Sequence, residues 1–145
     1  MNRIELLKDF IATSGLLDGF TDFKGNPQPA PVLQMGWLDS EYLAEDQQVR
    51  HFVIVDPSTN GAAIPLYSDE REMTIIIFGK GGDQSALDNR IIADYAEQVN
   101  DFLRLNTPDN ESCMYKATPR GARLAGKNAD GRFIYEIRAS AWFRG

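Results

Sequence analysis

The sequence contains only one cysteine, Cys113, among its 145 residues. A single thiol cannot form a disulfide within the chain, which suits a protein made in a reducing compartment. No apolar run approaches the roughly 20 residues that a transmembrane helix requires, and the charged N-terminus lacks the apolar region of a secretory signal. We therefore expect a protein that is made in the cytoplasm and has no membrane as its partner.

Basic residues are also scarce, with 15 lysines and arginines against 21 acidic residues and a net charge of -6. A general nucleic-acid binder needs a basic surface that displaces counterions from phosphates, and anionic membranes attract basic segments. Both classes of partner are therefore disfavoured. The hydrophobic share of 43% and the charged share of 25% are ordinary for a globular protein, and the length predicts a single domain over residues 1–145.

Residue types that carry catalysis or bind metals are few. His51 is the only histidine, and no cysteine or second histidine lies at ligand spacing from it. We interpret His51 as a structural or surface histidine and Cys113 as a small buried hydrophobe rather than a nucleophile. The sequence predicts no catalytic, cofactor-binding or metal site, and we expect that the protein is not an enzyme.

The glycine turn, Gly79–Gly82, joins an apolar strand to a long helix, an arrangement that holds phosphate in many enzymes. A P-loop requires a Gly-Lys-Ser/Thr sequence, and a Rossmann turn requires a third glycine. The sequence Gly-Lys-Gly-Gly-Asp-Gln provides neither, and Asp83 would place a negative charge where a phosphate would lie. We interpret the turn as a connection after which Asp83 or Ser85 caps the helix.

The segments on either side of the glycine turn have the strongest hydrophobic patterns. The run Met73–Phe78 is apolar without alternation, which predicts a central strand that is buried on both faces. Residues 85–105 have apolar side chains on one side, which predicts a helix of about five turns that lies on a sheet. The acidic residues assigned to its opposite, exposed face are Asp88, Asp94, Glu97 and Asp101.

The remaining pattern predicts an α+β fold. Residues 3–13 have the apolar spacing of an amphipathic helix, and residues 68–72 are a solvated turn. Further strands are predicted at residues 49–55, 64–67 and 113–118, the last with a continuation at 120–124. A hairpin turn leads to an alternating strand, Arg132–Arg144, whose odd-numbered residues face the core. The predicted architecture is a mixed or antiparallel sheet of about four or five strands, with an N-terminal helix and one long helix packed on it.

Residues 14–48 are predicted to be a long, mostly irregular loop. Three prolines at alternate positions, at 27, 29 and 31, indicate an extended and unpaired piece, either a spacer or a ligand for an aromatic groove. A short strand at 32–38 follows, and then a helical turn at 38–43 that Asp39 or Ser40 caps.

Apolar side chains in so long a loop indicate a contact surface. The interface candidates in this loop are Trp37, Leu38 and Tyr42. At the end of the chain, Trp142 and Arg144 are further candidates, because aromatic residues and arginine are enriched at interfaces. A place for Trp142 in the core is an equal alternative.

The order of elements resembles the tail terminator proteins of long-tailed bacteriophages. The similarity lies in three stretches, which are the strand His51–Pro57 with its Asp-Pro end, the strand, glycine turn and helix of Met73–Leu103, and the closing strand Phe133–Phe143. It covers most of the chain in pattern, except that the loop at 14–48 is longer and richer in proline than expected for that family.

This resemblance implies a structural virion protein of the phage tail or neck, made in the host cytoplasm. Such proteins form a homo-oligomeric, hexameric ring that caps the tail tube, ends tube polymerisation and joins the tail to the head connector or head-completion protein. Cyclic contacts use two different patches, so the long loop of one subunit could cover the sheet or helix of the next.

DNA would only pass through the lumen of such a ring. The acidic helix face could line that lumen and repel phosphates, although an ordinary solvated face is the simpler interpretation. The alternative functions are another phage neck or tail component, such as a head-completion or minor tail protein, and a nucleotide-binding module built on the glycine turn.

Overall fold

The computed structural model describes residues 2–56, 68–109 and 111–144. The helices are α1 (Arg3–Ala12), α2 (Ser40–Glu45) and α3 (Ser85–Leu105), the last preceded by a turn of 3-10 helix at Gly82–Gln84. The strands are β1 (Gly19–Thr21), β2 (Pro27–Pro29), β3 (Val32–Met35), β4 (His51–Val55), β5 (Ser68–Phe78), β6 (Met114–Lys127) and β7 (Phe133–Arg144). The strand predicted at 64–67 lies outside the described residues.

Five of these strands form one mixed sheet in the order β3-β4-β5-β7-β6. The β3 and β4 strands are parallel, and the other neighbours are antiparallel. The predicted α+β fold is therefore confirmed. The solvated turn predicted at 68–72 is wrong, because β7 is long enough to pair with β5 from Ser68 opposite Arg144 to Phe78 opposite Ile134.

The main core lies between one face of this sheet and the helices α1 and α3. Buried side chains of α3, of α1 and of the sheet meet there, as in the cluster of Ile92, Tyr95, Val99, Leu7, Ile11, Ile75, Ile77 and Ile137. Complete burial of one such aliphatic side chain contributes about 1.5–3 kcal/mol. The odd-numbered positions Ile137, Ala139, Ala141 and Phe143 of β7 are buried, which confirms the predicted inward face of the closing strand.

Among the residues that the structure describes, the short helix α2 covers part of the opposite face of the sheet. Leu43 of α2 packs on Val53 and Phe78. Towards β6 this face is polar, where Glu136 accepts hydrogen bonds from Arg123 at 2.9 Å and from Arg138 at 2.8 Å. The sheet is therefore apolar beneath α2 and charged towards its β6 edge.

The proline-containing segment is extended as predicted, because Pro27–Pro29 is a strand. The prediction that it is unpaired is wrong, because this strand pairs with β1. In this ribbon β1 and β2 are antiparallel, with Pro27 and Pro29 opposite Thr21 and Gly19. Only alternate residues of an antiparallel ribbon exchange hydrogen bonds, so two prolines that flank a residue with an N–H are compatible with pairing. Here that residue is Gln28, which lies opposite Phe20. The segment 14–48 therefore contains the strands β1 and β2 in addition to the predicted short strand, β3, and the predicted helical turn, α2.

Candidate functional site

The start of α3 differs from the sequence prediction. Gln84 occupies the N-cap position, and neither Asp83 nor Ser85 makes a capping hydrogen bond from its side chain. The 3-10 turn joins the glycine turn to the helix through the backbone, since the N–H of Ser85 donates to the carbonyl of Gly82. The predicted cap is therefore wrong, because a backbone turn already takes the place of the capping side chain.

Asp88, in the first turn of α3, holds the glycine turn by its carboxylate. The Oδ2 atom of Asp88 accepts the backbone N–H of Lys80 at 2.7 Å, and Oδ1 accepts the Nε–H of Arg50 at 3.0 Å. The side chains of Asp88 and Arg50 are both only 3% exposed. A carboxylate of the chain itself therefore occupies the anion position that a phosphate-binding turn would offer to a ligand.

The assignment of Asp88 to the exposed acidic face is therefore wrong. The first turn of α3 lies against the end of the sheet, where Arg50 supplies a buried counter-charge. The other three acids of the predicted face are more accessible. Asp94 is half-buried and accepts a hydrogen bond from Gln98, whereas Glu97 and Asp101 are exposed.

Arg132, which the sequence did not single out, is the largest fully buried side chain in the described part of the protein. Its Nη1 donates to the carbonyls of Val49 and Gly79, and its Nη2 donates to those of Leu43 and Asp46. The last two carbonyls lie at the C-terminal end of α2, where carbonyls lack helical partners and attract a cation. The guanidinium of Arg132 therefore connects the β6–β7 hairpin by hydrogen bonds to the end of α2, to the residue Val49 shortly before β4 and to the glycine turn.

The glycines of the turn allow neighbouring segments to pack closely around Asp88 and Arg132. A Cβ atom on Gly81 would lie 2.8 Å from Oε1 of Gln47 and 3.0 Å from the carbonyl oxygen of Asp130. A Cβ atom on Gly79 would lie 3.0 Å from Oδ2 of Asp88. A side chain at either position would require a neighbouring group to shift, so the glycines allow the chain to pack closely on itself at this turn.

Several apolar side chains are exposed on the surface that β3 and α2 form at one edge of the sheet. Trp37 is 69% exposed, Tyr42 is 44% exposed and Leu38 is 37% exposed. Asp39 is the N-cap of α2, because its Oδ1 accepts the N–H groups of Glu41 and Tyr42. The structure therefore confirms the predicted helical turn and brings three of the five interface candidates to one edge.

A depression of about 670 Å³ lies beside these residues. It is lined by Val32, Asp39, Glu41, Tyr42, Glu45, Asp46, Val49 and His51. His51 is only 1% exposed, its Nδ1 lies 3.1 Å from Nε2 of Gln34, and its ring meets the ring of Tyr42 edge-on. The wall is acidic, and a neutral imidazole lies at its base.

The burial of His51 makes stability depend on pH. Desolvation, followed by the nearby charge of Arg132, lowers the pKa of His51 from 6.5 to about 4, against an opposing effect of Asp46. Between these two values the unfolded chain binds the proton and the folded chain does not. The contribution of His51 to stability is therefore fully present above about pH 6.5 and is lost as the pH falls towards 4, by about 3 kcal/mol at most.

We expect the variant His51→Gln to lack this part of the pH dependence. Urea unfolding of both proteins between pH 7 and pH 4 measures it, since carboxylates that titrate in the same range contribute equally to both curves. Parallel curves for the two proteins would show that His51 does not titrate in the predicted way.

The remaining candidates lie elsewhere in the fold. Trp142 is half-buried on β7 between Glu70 and Lys116, eight residues or about 27 Å along the strand from Ile134. Arg144 is exposed, and its Nη1 donates to the carbonyl of Ser112 at 3.1 Å. The structure does not bring these two residues to the edge that carries Trp37.

Cys113 is exposed, so its interpretation as a buried hydrophobe is wrong. It immediately precedes β6, and the neighbouring Met114 takes the inward position instead. The thiol lines a groove of about 470 Å³ beside α1, together with Leu6 and Phe10.

Comparison with known proteins gives no family assignment. No family model matches the sequence, and no curated protein is significantly similar to it. Within the described ranges, no group of three or more histidine, cysteine or acidic side chains is arranged to hold a metal ion. None of the helices described is both long and apolar enough to span a membrane.

Proposed function

We propose that this protein is a structural subunit that associates with copies of itself into a ring and acts as the terminator of a phage tail tube. The observation that carries the proposal is the exposed apolar surface at the β3–α2 edge. Soluble monomers rarely expose contiguous apolar patches of large size, and such patches mark interaction sites. Trp37 supports this interpretation most strongly, because aromatic anchors dominate the binding energy of interfaces.

The position of this surface suits a ring. It lies at one edge of an open sheet, and the strand β6 forms the other edge. A subunit with different surfaces at its two edges associates head to tail, and such contacts close into a ring when the rotation between subunits permits. In this proposal the ring caps the tail tube and joins it to the head, and DNA passes through its lumen.

The glycine turn favours this role over nucleotide binding. Asp88 already accepts the N–H of Lys80 and pairs with Arg50, so a phosphate at the turn would have to displace a buried carboxylate. Another neck or tail component with the same architecture is the remaining alternative. Loss of a terminator leaves over-long tail tubes, whereas loss of a head-completion protein leaves tails of normal length and leaking heads.

We expect the double variant Trp37→Ala/Leu38→Ala to weaken self-association by about 30-fold or more, the effect of losing one interface hot spot. The fold should persist, because 69% of Trp37 is already exposed. Mass photometry across a concentration series measures association, and electron micrographs of tail tubes mixed with the protein show whether rings cap their ends.

The matched control is Leu105→Ala, which removes an apolar side chain that is 67% exposed at the end of α3 and should leave association unchanged. A wild-type protein that stays monomeric at every concentration and never binds tube ends would contradict the proposed function.

A further inference from the structure

The two edges of the sheet carry charges of opposite sign. Residues 32–49, which include β3 and α2, contain four acidic residues and no lysine or arginine. The strand β6 at 114–127 contains four basic residues and no acidic residue. The acids are Asp39, Glu41, Glu45 and Asp46, and the bases are Lys116, Arg120, Arg123 and Lys127. In a protein with a net charge of -6, a strand with only basic charges is a marked local exception.

These two charged segments lie at opposite edges of the same sheet. The β3 and β6 strands are the first and last of five, so four strand spacings of about 4.8 Å separate them by roughly 19 Å. Acidic and basic side chains that far apart cannot form ion pairs within one chain, whereas they can form them between neighbouring copies.

The side chains at both edges are accessible for such a contact. Glu41 and Glu45 are exposed one helical turn apart on α2. On β6, the exposed residues Leu124 and Lys127 share one face of the sheet, opposite Tyr135 and Phe133, whereas the exposed Arg123 lies on the other face, opposite Glu136. Basic side chains therefore flank this edge on both faces. Each edge therefore combines charge with apolar surface, as interface cores and rims do.

The existing partners of the β6 arginines do not oppose the contact. Arg120 pairs with Glu72 at 3.3 Å, and Arg123 pairs with Glu136 at 2.9 Å, and both arginine side chains are more than half exposed. The Arg120–Glu72 pair is exposed on both sides and contributes little. Glu136 is only 17% exposed, but it keeps Arg138 as a partner at 2.8 Å when Arg123 turns to a neighbouring copy. Pro119 and the irregular register of β6 hinder the addition of another strand at this edge, so the contact is made by side chains.

We propose that the basic β6 edge of one copy docks on the acidic β3–α2 surface of the next copy. Arg123 from one face of this edge and Lys127 from the other pair there with Glu41 and Glu45. Leu124, on the same face as Lys127, packs against the apolar side chains around Tyr42. This inference rests on the proposed ring and names the two surfaces that build it. Charge complementarity at such an interface accelerates association and fixes its orientation, because the reverse orientation would bring like charges together.

The test reverses the charges of each edge separately. The acidic-edge variant is Glu41→Arg/Glu45→Arg, and the basic-edge variant is Arg123→Glu/Lys127→Glu. We expect each variant alone to associate about 100-fold more weakly than the wild type, because like charges then meet. An equimolar mixture of the two variants should assemble again, since every junction in an alternating ring is complementary. Such a ring closes only with an even number of subunits, as a hexamer has.

Circular dichroism and thermal melting establish that both variants fold, and salt dependence provides a measurement on the unmodified protein. Association of the wild type should weaken as ionic strength rises, because screening reduces the attraction. The matched control for the acidic-edge variant is Glu97→Arg/Asp101→Arg, which makes the same change in net charge on the exposed side of α3 and should assemble normally.

The outcomes separate this inference from the proposed function. A wild type that assembles while both reversed variants also assemble would overturn the docking and leave the ring. Reversed variants that fail alone and fail in the mixture would overturn it as well. Restoration in the mixture without capping of tail tubes would support the docking and contradict the role as terminator. A wild type that remains monomeric would overturn both.

Discussion

The variant Arg132→Met is expected to lose about 3–5 kcal/mol of its free energy of unfolding. Methionine fills much of the volume of the arginine side chain but has no donor. The carbonyls of Val49, Gly79, Leu43 and Asp46 would then remain buried without the guanidinium that they share. Urea unfolding, followed by circular dichroism at pH 7, measures the change.

The matched control is Arg104→Met, at a side chain that is 59% exposed and pairs only with Asp101 across one turn of α3. Exposed pairs of this kind contribute about 0.3–0.5 kcal/mol. Arg132→Lys should recover only part of the loss, because an ammonium group cannot reach four carbonyls in the geometry of a planar fork. A loss below about 1 kcal/mol for Arg132→Met would show that the described contacts do not hold the hairpin in place.

The variant Asp88→Ala is expected to cost about 3–5 kcal/mol, because it leaves the charge of Arg50 buried without its counter-charge. It also removes the acceptor of the Lys80 N–H, so the glycine turn loses its tie to α3. Asp88→Asn, which keeps an acceptor oxygen but not the charge, should give an intermediate loss. Chemical unfolding of the three proteins gives these differences directly.

A double-mutant cycle identifies the pair as the cause. The variant Arg50→Met/Asp88→Ala removes both charges, so it should be more stable than the summed losses of Arg50→Met and Asp88→Ala predict, by about 2 kcal/mol. Asp101→Ala, at an exposed position of the same helix, is the matched control and should stay within about 0.5 kcal/mol of the wild type. Additive losses for Arg50 and Asp88 would be incompatible with a buried ion pair.

The sequence predicted the fold well where a pattern depends on neighbouring residues. The alternation in β7 placed Ile137, Ala139 and Ala141 in the core correctly, and the helical spacing of α3 gave its buried side. Asp39 was recognisable as a cap because capping acts over two or three residues. All of these features depend on local geometry, which sequence spacing records.

The buried polar contacts of Arg50, Asp88 and Arg132 could not be predicted in the same way, because the interacting groups come from distant segments of the chain. Asp88 has the spacing of a solvated helix face, and nothing in that spacing identifies Arg50, 38 residues earlier, as its counter-charge. Arg132 is harder still, since all four of its side-chain partners are backbone carbonyls, which every residue type has. An arginine directly after a hairpin turn ordinarily extends into solvent, and only the fold shows that this one does not.

Whether the exposed surface at the β3–α2 edge builds a ring remains a proposal of function. The sequence pointed to Trp37, Leu38 and Tyr42 as interface candidates, because apolar residues in a polar, proline-containing segment are unusual, and the structure shows that all three are exposed. The sequence offered no reason to pair them with β6, since the order of strands in a sheet does not follow from their order in the chain. That the acidic and the basic segments lie at opposite edges of the sheet follows only from the strand order β3-β4-β5-β7-β6.

The contacts of Arg132 also bear on how the protein folds. Its partners Gly79 and Leu43 lie 53 and 89 residues earlier in the chain, so these bonds form only after the sheet has brought three distant segments together. Contacts of such long range are costly in chain entropy and tend to form late. Loss of the guanidinium should therefore accelerate unfolding far more than it slows refolding. We therefore expect Arg132 to determine mainly the rate at which the folded chain unfolds, rather than the rate at which it folds.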